Sequence, residues 1–383
     1  MPESLPQKPP KSLKKKHLLA GAALTLVAAL SCAAFTGCSG SDSQAEGEKD
    51  TAAAETEYAP IAVSYLNKTY YEDIIVGDAK GFFTDCGPEV TLNVVEGSGQ
   101  QSVEALLGGS VDIAATGQGP VADAIKQHGD DIVILAGTNC MTGEQAWVAG
   151  PNMVGDMAIT PYDAATDNKA DVKASFENAA AAKGSPILIG VQNGSTTAGN
   201  LKSWLKGMEI SFNDFDTEGD GVVSLVDLKA NTLATTLATG TDIDIMAASQ
   251  PFPNTALESV EGSYQIGTNA DTNTYNAMLL ITTKEIYAEK EDSIKAFLEA
   301  DKKATDFMNE NPDEAITICA ESMGVDEANV KAIFDQAAFQ TNLTDQMVST
   351  LAKACKSKEV EITEDELKAQ MPLFDWLNNE LNK

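Results

Sequence analysis

Short apolar runs alternate along most of this chain with stretches of helical period, and that alternation sets the first expectation. IAVSYL (61–66) reads as a buried strand, because a continuous apolar run bounded by polar residues suits a strand covered on both faces. IIVGDAKGFF (74–83) reads as a helix whose end carries Gly81, VTLNVVEG (90–97) as a second strand, QQSVEALLGG (100–109) as a helix and DIAATG (112–117) as a third strand. PVADAIKQHG (120–129) and DIVILAG (131–137) continue with a helix and a strand. The second half repeats the theme: PILIGVQ (186–192) is a strand, GSTTAGNLKSWLKG (194–207) a loop and helix, VVSLVDL (222–228) a strand, and ANTLATTLATG (230–240) a helix before DIDIMAASQPFP (242–253). Strands and helices in this order predict a doubly wound α/β sheet. VEALLGGSVDIAATGQGP (103–120) and LATTLATGTDIDIMAASQPFP (233–253) share one pattern of helix, glycine stop, aspartate, apolar strand, Gln and Pro. Two similarly built lobes are the economical reading.

Length and charge sharpen this picture. A chain of 383 residues exceeds a typical single core, so two lobes are expected. Its 57 acidic residues oppose 26 basic ones, every one of them lysine, for a formal net charge of -31. Nucleic acid is excluded as a partner, since it repels such a chain and recruits arginine. The only histidines are His17 and His128, which leaves histidine-based zinc sites and catalytic pairs with one candidate. His128 reads as a helix C-terminal residue before Gly129. No cofactor is expected.

The N-terminus speaks to location. Lys11, Lys14, Lys15 and Lys16 precede the apolar run LLAGAALTLVAALSCAAF, which ends in Thr36-Gly37-Cys38. This resembles the bacterial lipoprotein signal, in which the cysteine becomes the lipidated first residue of the mature chain. Residues 1–37 are then the signal peptide, Cys38 is the lipidation site, and the protein is extracytoplasmic and lipid-anchored to the bacterial cell membrane. The competing reading is a retained membrane-spanning anchor. Residues 38–58 are polar, acidic and without apolar period; as flexible coil they reach about 25 Å from the membrane. Loss of residues 1–37 takes the formal charge from -31 to -35. Cys86, Cys140, Cys319 and Cys355 remain in the body without CxxC spacing. Three pairings are open outside the cytoplasm, with Cys319 and Cys355 the best placed, in one helical region.

YYEDIIVGDAKGFFTDCGPEVTLNVVEGSGQQSVEALLGGSVDIAATG (70–117) resembles the opening of the substrate-binding proteins for nitrate, sulfonates, taurine and thiamine precursors, the NMT1/THI5-like family. The matching features are Ala79-Lys80-Gly81-Phe82-Phe83, the strand start at Glu89-Val90, and Gly108-Gly109 before Asp112-Ile113-Ala114. GSTTAGNLKSWL (194–205) is similar to the second-lobe anion loop of the taurine and sulfonate members. The resemblance covers about residues 59–150 and 185–310. It implies a periplasmic-binding-protein type II-like fold, two doubly wound α/β lobes joined by a two-segment hinge. It also implies a monomer that hands a small-molecule ligand to an ABC permease and ATPase complex. The crossings are expected at EQAWVAG (144–150) and YNAMLLI (275–281), with lobe 1 formed by 59–148 and 275–383 and lobe 2 by 149–274. Residues 153–184 read as an insertion into lobe 2.

Within that frame the helix start at 194–207 acquires a role. A helix N-terminus exposes unpaired N–H groups and the positive end of the dipole, so Ser195, Thr196 and Thr197 can hold an oxygen-rich or anionic group; plain N-capping is the alternative. The facing strand ends offer Ser64, Tyr65 and Asn67, then Ser98 and Gln100, then Thr116, Gly117 and Gln118, with Gln250 as the second-lobe counterpart of Gln118. Trp147 could add an aromatic wall, as could Tyr65, Tyr70 and Tyr71, whereas Trp204 and Trp376 belong to the core. Without arginine an anion must rely on N–H groups, hydroxyls or a lysine such as Lys68 or Lys202. A sulfonate, a taurine-like zwitterion, a thiamine precursor and a neutral molecule all stay open. DTEGDGVVSLVD (216–227) resembles a calcium loop with Asp216, Glu218, Asp220 and Asp227 at its acidic positions; the competing reading is an acidic turn followed by a lobe-2 strand. Two other functions are kept: a tethered ligand-sensing receptor without transport, and a thiamine-pyrimidine synthase-like enzyme, whose cysteine-rich motif and reactive histidine this sequence lacks. A binding protein without enzymatic activity is the favoured expectation.

Overall fold

The computed structural model describes residues 57–383; the expected signal peptide, Cys38 and most of the tether lie outside the described residues. Among the described residues eleven strands divide between two sheets. In the first, β1 (Ile61–Tyr65), β2 (Val90–Val94) and β3 (Ile113–Gly117) run parallel, while β11 (Asn276–Thr283) lies antiparallel between β3 and β4 (Ile132–Met141). In the second, β7 (Phe212–Asn213), β8 (Val223–Asp227), β6 (Ile187–Val191) and β9 (Ile245–Ser249) are parallel, and β5 (Gln145–Ala149) and β10 (Tyr264–Thr268) close the far edge antiparallel. Val63, Ile113, Ile187 and Ile189 are fully enclosed, as central parallel strands require when helices cover both faces.

Helices α1 (Glu72–Ala79), α2 (Gly99–Leu107) and α3 (Gln118–His128) follow the first three strands. In the second lobe α4 (Lys169–Lys183) precedes β6, and α5 (Thr196–Gly207), α6 (Leu233–Thr239) and α7 (Phe252–Ser259) follow β6, β8 and β9. The chain then returns: α8 (Lys284–Glu310), α9 (Pro312–Met323), α10 (Glu327–Phe334), α11 (Asp345–Ser357) and α12 (Glu364–Ala369) bury Phe297, Ile316, Leu351 and Leu367 in the first core. Among the described residues no helix is long and apolar enough to cross a membrane.

The chain passes between sheets twice, at residues 142–144 and 269–275. Both crossings lie slightly before the positions expected from sequence. Gln145–Ala149 pairs with β9 and β10 and belongs to the second sheet, and Asn276–Thr283 is already a strand of the first. Asn269 ties the crossings together. Its Oδ1 accepts from the backbone N–H of Gly143 at 2.8 Å and of Gln145 at 3.2 Å, and its Nδ2 donates to the Thr274 carbonyl at 3.1 Å.

Residues 153–184 are integral to lobe 2. Met153, Ile159, Val172, Phe176 and Ala179 are buried in one cluster with Trp147 and Trp204, and Phe176 meets the Trp204 ring edge at 6.2 Å. The proposed calcium loop does not form: 223–227 is a strand in register with β6, and the Asp227 carboxylate accepts from the Asn193 N–H at 2.9 Å. The acidic turn is the better description. Among the described residues no group of three or more His, Cys, Asp or Glu side chains is placed to hold a metal ion. Cys319 and Cys355 are buried free thiols, as are the less buried Cys86 and Cys140, so the suggested pairing within the helical region is not made.

Where α1 packs on α8, three carboxyl groups, those of Glu72, Asp73 and Asp301, are buried without a cation. Asp73 and Asp301 face each other, and Asp301 also accepts from Thr341 Oγ1 at 2.7 Å. Burial, then the neighbouring Asp301 charge, pushes Asp73 well above the usual carboxylate range. Burial pushes Glu72 up to about 7, against the opposing pull of the backbone N–H groups it accepts from. The folded chain therefore keeps protons that the unfolded chain releases near pH 4, and stability present at acid pH is lost as pH rises through about 7. The melting temperature should be higher at about pH 5.5 than at about pH 8. Asp73→Asn, which supplies a donor permanently, should reduce that difference; thermal melts of both proteins across pH would show an unchanged slope if the pair carried no shared proton.

Candidate functional site

The helices that begin at the strand ends of both lobes point their N-termini into one gap. Ser98 caps α2, accepting from the Gln100 N–H and closing a reciprocal pair with Gln101. Gly117 precedes α3, and Ser195 caps α5, accepting from the Ala198 N–H at 3.1 Å. The lobes meet at these starts. A Cβ on Gly117 would lie 2.1 Å from Thr196 Oγ1, and one on Gly194 would lie 3.6 Å from Ser98 Oγ. A side chain in place of Gly117 would thus occupy the space into which α5 docks. Thr69 Oγ1 adds a hydrogen bond from the first lobe to the Gln250 carbonyl of the second.

Between the lobes this leaves a chamber of about 30 Å³, with floor and walls from Lys68, Tyr70, Gly117, Gln145, Ser195, Thr196, Thr197, Ser249 and Asn276. A wider mouth of about 550 Å³ opens past Lys68 along Asn67, Ser98, Gln192, Asn193 and Phe252. Three buried polar atoms on the chamber lining have no partner: Tyr70 Oη, Gln145 Nε2 and Asn276 Oδ1. Buried polar groups are nearly always paired, so three orphans around one cavity make it the candidate site. Tyr70 is further distinguished by a φ of 86°, a conformation non-glycine residues rarely keep without a structural reason. Its N–H donates to Glu72 and its carbonyl accepts from Asn139 Nδ2, so the backbone is held from both sides. Gln145 is oriented by Asn200 Nδ2, which donates to its Oε1 at 2.8 Å.

Charge in the chamber is positive on balance, unlike the chain as a whole. The α2, α3 and α5 starts direct their dipoles inward. Lys68 is half-buried, and desolvation lowers its ammonium to about 8. It still carries its proton at neutral pH, and an anion beside it would relieve the cost of burial. Lys202 instead pairs with Asp214 at 2.7 Å and lines a separate cavity with Asp123 and Lys358 of the first lobe.

The residues expected from sequence divide into two groups. Gly117, Ser195, Thr196 and Thr197 line the chamber, Gln250 borders its inner recess, and Asn67 and Ser98 line the mouth. Gln100 packs against Gly194. Other side chains are spent elsewhere. Ser64 is enclosed in lobe 1, and Thr116 Oγ1 donates to the Gly99 carbonyl. Tyr65 packs on Tyr71 in the first core, with ring centroids 6.5 Å apart. Gln118 pins α3 to β11 through the Tyr275 carbonyl and Ala277 N–H, and the Gln250 amide is held by Asn254. Trp147 is corrected from cleft wall to core: it is fully buried in lobe 2 against Trp204. Tyr70 and Tyr71, expected as possible aromatic walls, lie on the chamber lining, whereas Gln145, Ser249 and Asn276 were missing from the expected set. The Gln and Asn occupy the crossing ends, where pattern alone gives no reason to prefer one polar residue over another.

Similarity to known proteins agrees with this geometry. The sequence pattern of the NMT1-like family matches residues 54–323. The chain belongs to the NMT1-like family. No curated protein matches this NMT1-like chain in sequence. Among solved structures it is similar to the periplasmic aliphatic sulphonate binding protein SsuA from Escherichia coli, with a TM-score of 0.62 at 14% identity over 84% of this chain and 99% of that one. The periplasmic nitrate-binding protein NrtA from Synechocystis PCC 6803 gives 0.58 at 16% identity, over 82% and 85% of the two chains. The desulfurization enzyme DSZB gives 0.56 at 14%, over 85% and 99%. At such identities the likeness is one of fold, and the fold is that of the periplasmic binding proteins.

Gly117 supplies a direct test of the closed arrangement. Its φ of -81° suits alanine, so Gly117→Ala acts only through the clash with Thr196, at a cost of about 1–3 kcal/mol. The variant should shift toward a more open form, read as a larger radius of gyration in small-angle scattering. Thr196→Ala in the same chain should partly restore compactness. Identical scattering from all three proteins would mean the lobes do not meet there in solution.

Proposed function

We propose that this NMT1-like protein is the extracytoplasmic solute-binding lipoprotein of an ABC importer. In this reading it is lipidated at Cys38, closes its two lobes over a small organic ligand with an anionic or oxygen-rich end, and delivers it to the permease and ATPase. The observation that carries the reading is the convergence of helix starts from both lobes, together with Lys68, on a chamber that holds three orphaned polar atoms. Only the closed arrangement brings all of these to one molecule, so ligand binding favours closure by the contacts it gains there. The ligand class is a sulfonate or taurine-like compound, or a thiamine-precursor-like one, with its polar end at the α5 start and its remainder toward the mouth. The lining of the chamber contains no histidine or cysteine, which favours capture over catalysis. The resemblance of family and fold to transport-associated binding proteins supports the partner assignment.

Small molecules released from the purified protein should be identified by mass spectrometry and the best candidate titrated by calorimetry. Replacing both Thr196 and Thr197 by alanine should weaken its binding by about tenfold or more while leaving the melting temperature nearly unchanged. Lys68→Met should weaken an anionic ligand and spare a neutral one. Full affinity in both variants would remove the α5 start from the site.

A further inference from the structure

The chamber, the recess bordered by Gln250 and the mouth form one passage, and its width changes sharply along the way. Lys68 lines all three spaces. Ser195, Thr197 and Ser249 are shared by chamber and recess, and Gln192, Ala230 and Phe252 by recess and mouth. The recess therefore lies between the other two. The chamber, at about 30 Å³, has room for about two waters or a small anionic head. The recess, at about 20 Å³, holds about one water; an unbranched methylene chain passes where a ring does not. The mouth, at about 550 Å³, accepts a group of aromatic size or larger.

The chemistry of the walls changes with the width. Ala247 and Ala248 of β9 and Leu233 of α6, all buried, give the recess an apolar wall, which suits methylene groups. Among the described residues none with a carboxylate lines the recess, so a taurine-like ammonium there would meet Lys68 without a counter-charge. At the mouth Leu66, Val94 and Val95 of the first lobe share the lining with Ala230 and Phe252 of the second. Val94 is 52% exposed and Phe252 is half-buried, so both have apolar surface left to cover. The charged residues of the mouth, Glu96, Asp227 and Lys229, are exposed, and water screens them. Thr69, next to Lys68, donates across the lobes to the carbonyl of Gln250, which precedes Pro251 and Phe252. The closed arrangement itself thus brings the lysine and the ring to the junction of recess and mouth.

We propose that the site takes a three-part guest: a small oxygen-rich head in the chamber, an unbranched apolar linker through the recess and a bulkier apolar group at the mouth, selected by Val94 and Phe252. This rests on the chamber being the ligand site proposed above, and it narrows the ligand class to amphiphiles, setting the taurine-like zwitterion aside. A guest without the tail forfeits the apolar burial at the mouth. A guest with its ring directly on the head places the ring where the passage is narrowest, and overpacking there costs what the ring would gain.

Calorimetry with a series of sulfonates on the purified protein tests each part of the guest. Phenylpropylsulfonate, with its ring at the far end of the chain, should bind about tenfold or more tighter than methanesulfonate, since burying even part of the tail is worth that factor. Benzenesulfonate and taurine should gain nothing over methanesulfonate. Phe252→Ala should lower the ratio of the phenylpropyl to the methyl affinity, whereas a general loosening of the fold would move both affinities and spare the ratio. Should Phe252→Ala fail to fold, Val94→Asp, at an exposed position, takes its place with the same expected result. Equal affinities for the phenylpropyl and methyl compounds overturn the proposal. So does benzenesulfonate or taurine binding as tightly as the phenylpropyl compound, or a ratio that the variant leaves unchanged. If every sulfonate fails while phenylpropanol binds, the anion reading of the chamber falls and the three-part passage stands; failure of the alcohol as well overturns both.

Discussion

Two stretches of backbone must pass side by side between the sheets, and Asn269 is the side chain that binds them. It accepts two N–H groups of the first crossing and donates to the second and to Glu144. Without Asn269 these N–H groups would lose that partner, and a buried unpaired donor costs more than a hydrogen bond returns. The site depends on this clasp, because Gln145 and Asn276 leave the crossings directly into the chamber. A single amide thus sets the placement of one recognition group from each connection.

The second constraint is electrostatic. A chain with no arginine and a formal charge of -31 has few ways to attract an anion. Its solution is local: helix dipoles from both lobes converge, Lys68 lines the chamber, and several buried carboxyls are forced toward their neutral forms by burial. Glu72, Asp73, Asp301 and Glu144 all lie in places where no cation compensates them. Charge on the outer surface and charge in the cleft are accordingly decoupled, as expected when water screens the one and the protein interior surrounds the other.

Much of the architecture was legible in the sequence for physical reasons that act over a few residues. The period of IAVSYL or PILIGVQ reports burial on both faces of a strand, Ser195 ahead of an apolar helical stripe reports a cap, and Gly240 at φ 62° ends α6 as the glycine stop suggested. The insertion at 153–184 was visible as extra length, yet its purpose was not. Phe176 and Val172 complete a core whose other members come from 147, 189 and 204. Trp147 misled for the same reason: an aromatic residue near a crossing can face the cleft or the core, and only packing chooses.

The sequence by itself determined the element types, the pairing of two similar lobes, the helix start at Ser195 and the resemblance to a binding family, because each is written in local period, capping chemistry or motif. Tertiary structure decided which polar groups are consumed and which remain. Gln118 and Thr116 found partners in their own lobe, whereas Tyr70 Oη, Gln145 Nε2 and Asn276 Oδ1 did not. A hydrogen-bond partner lies anywhere in the chain, 157 residues away for Gln118 and 55 for Gln145, and no local pattern records that distance.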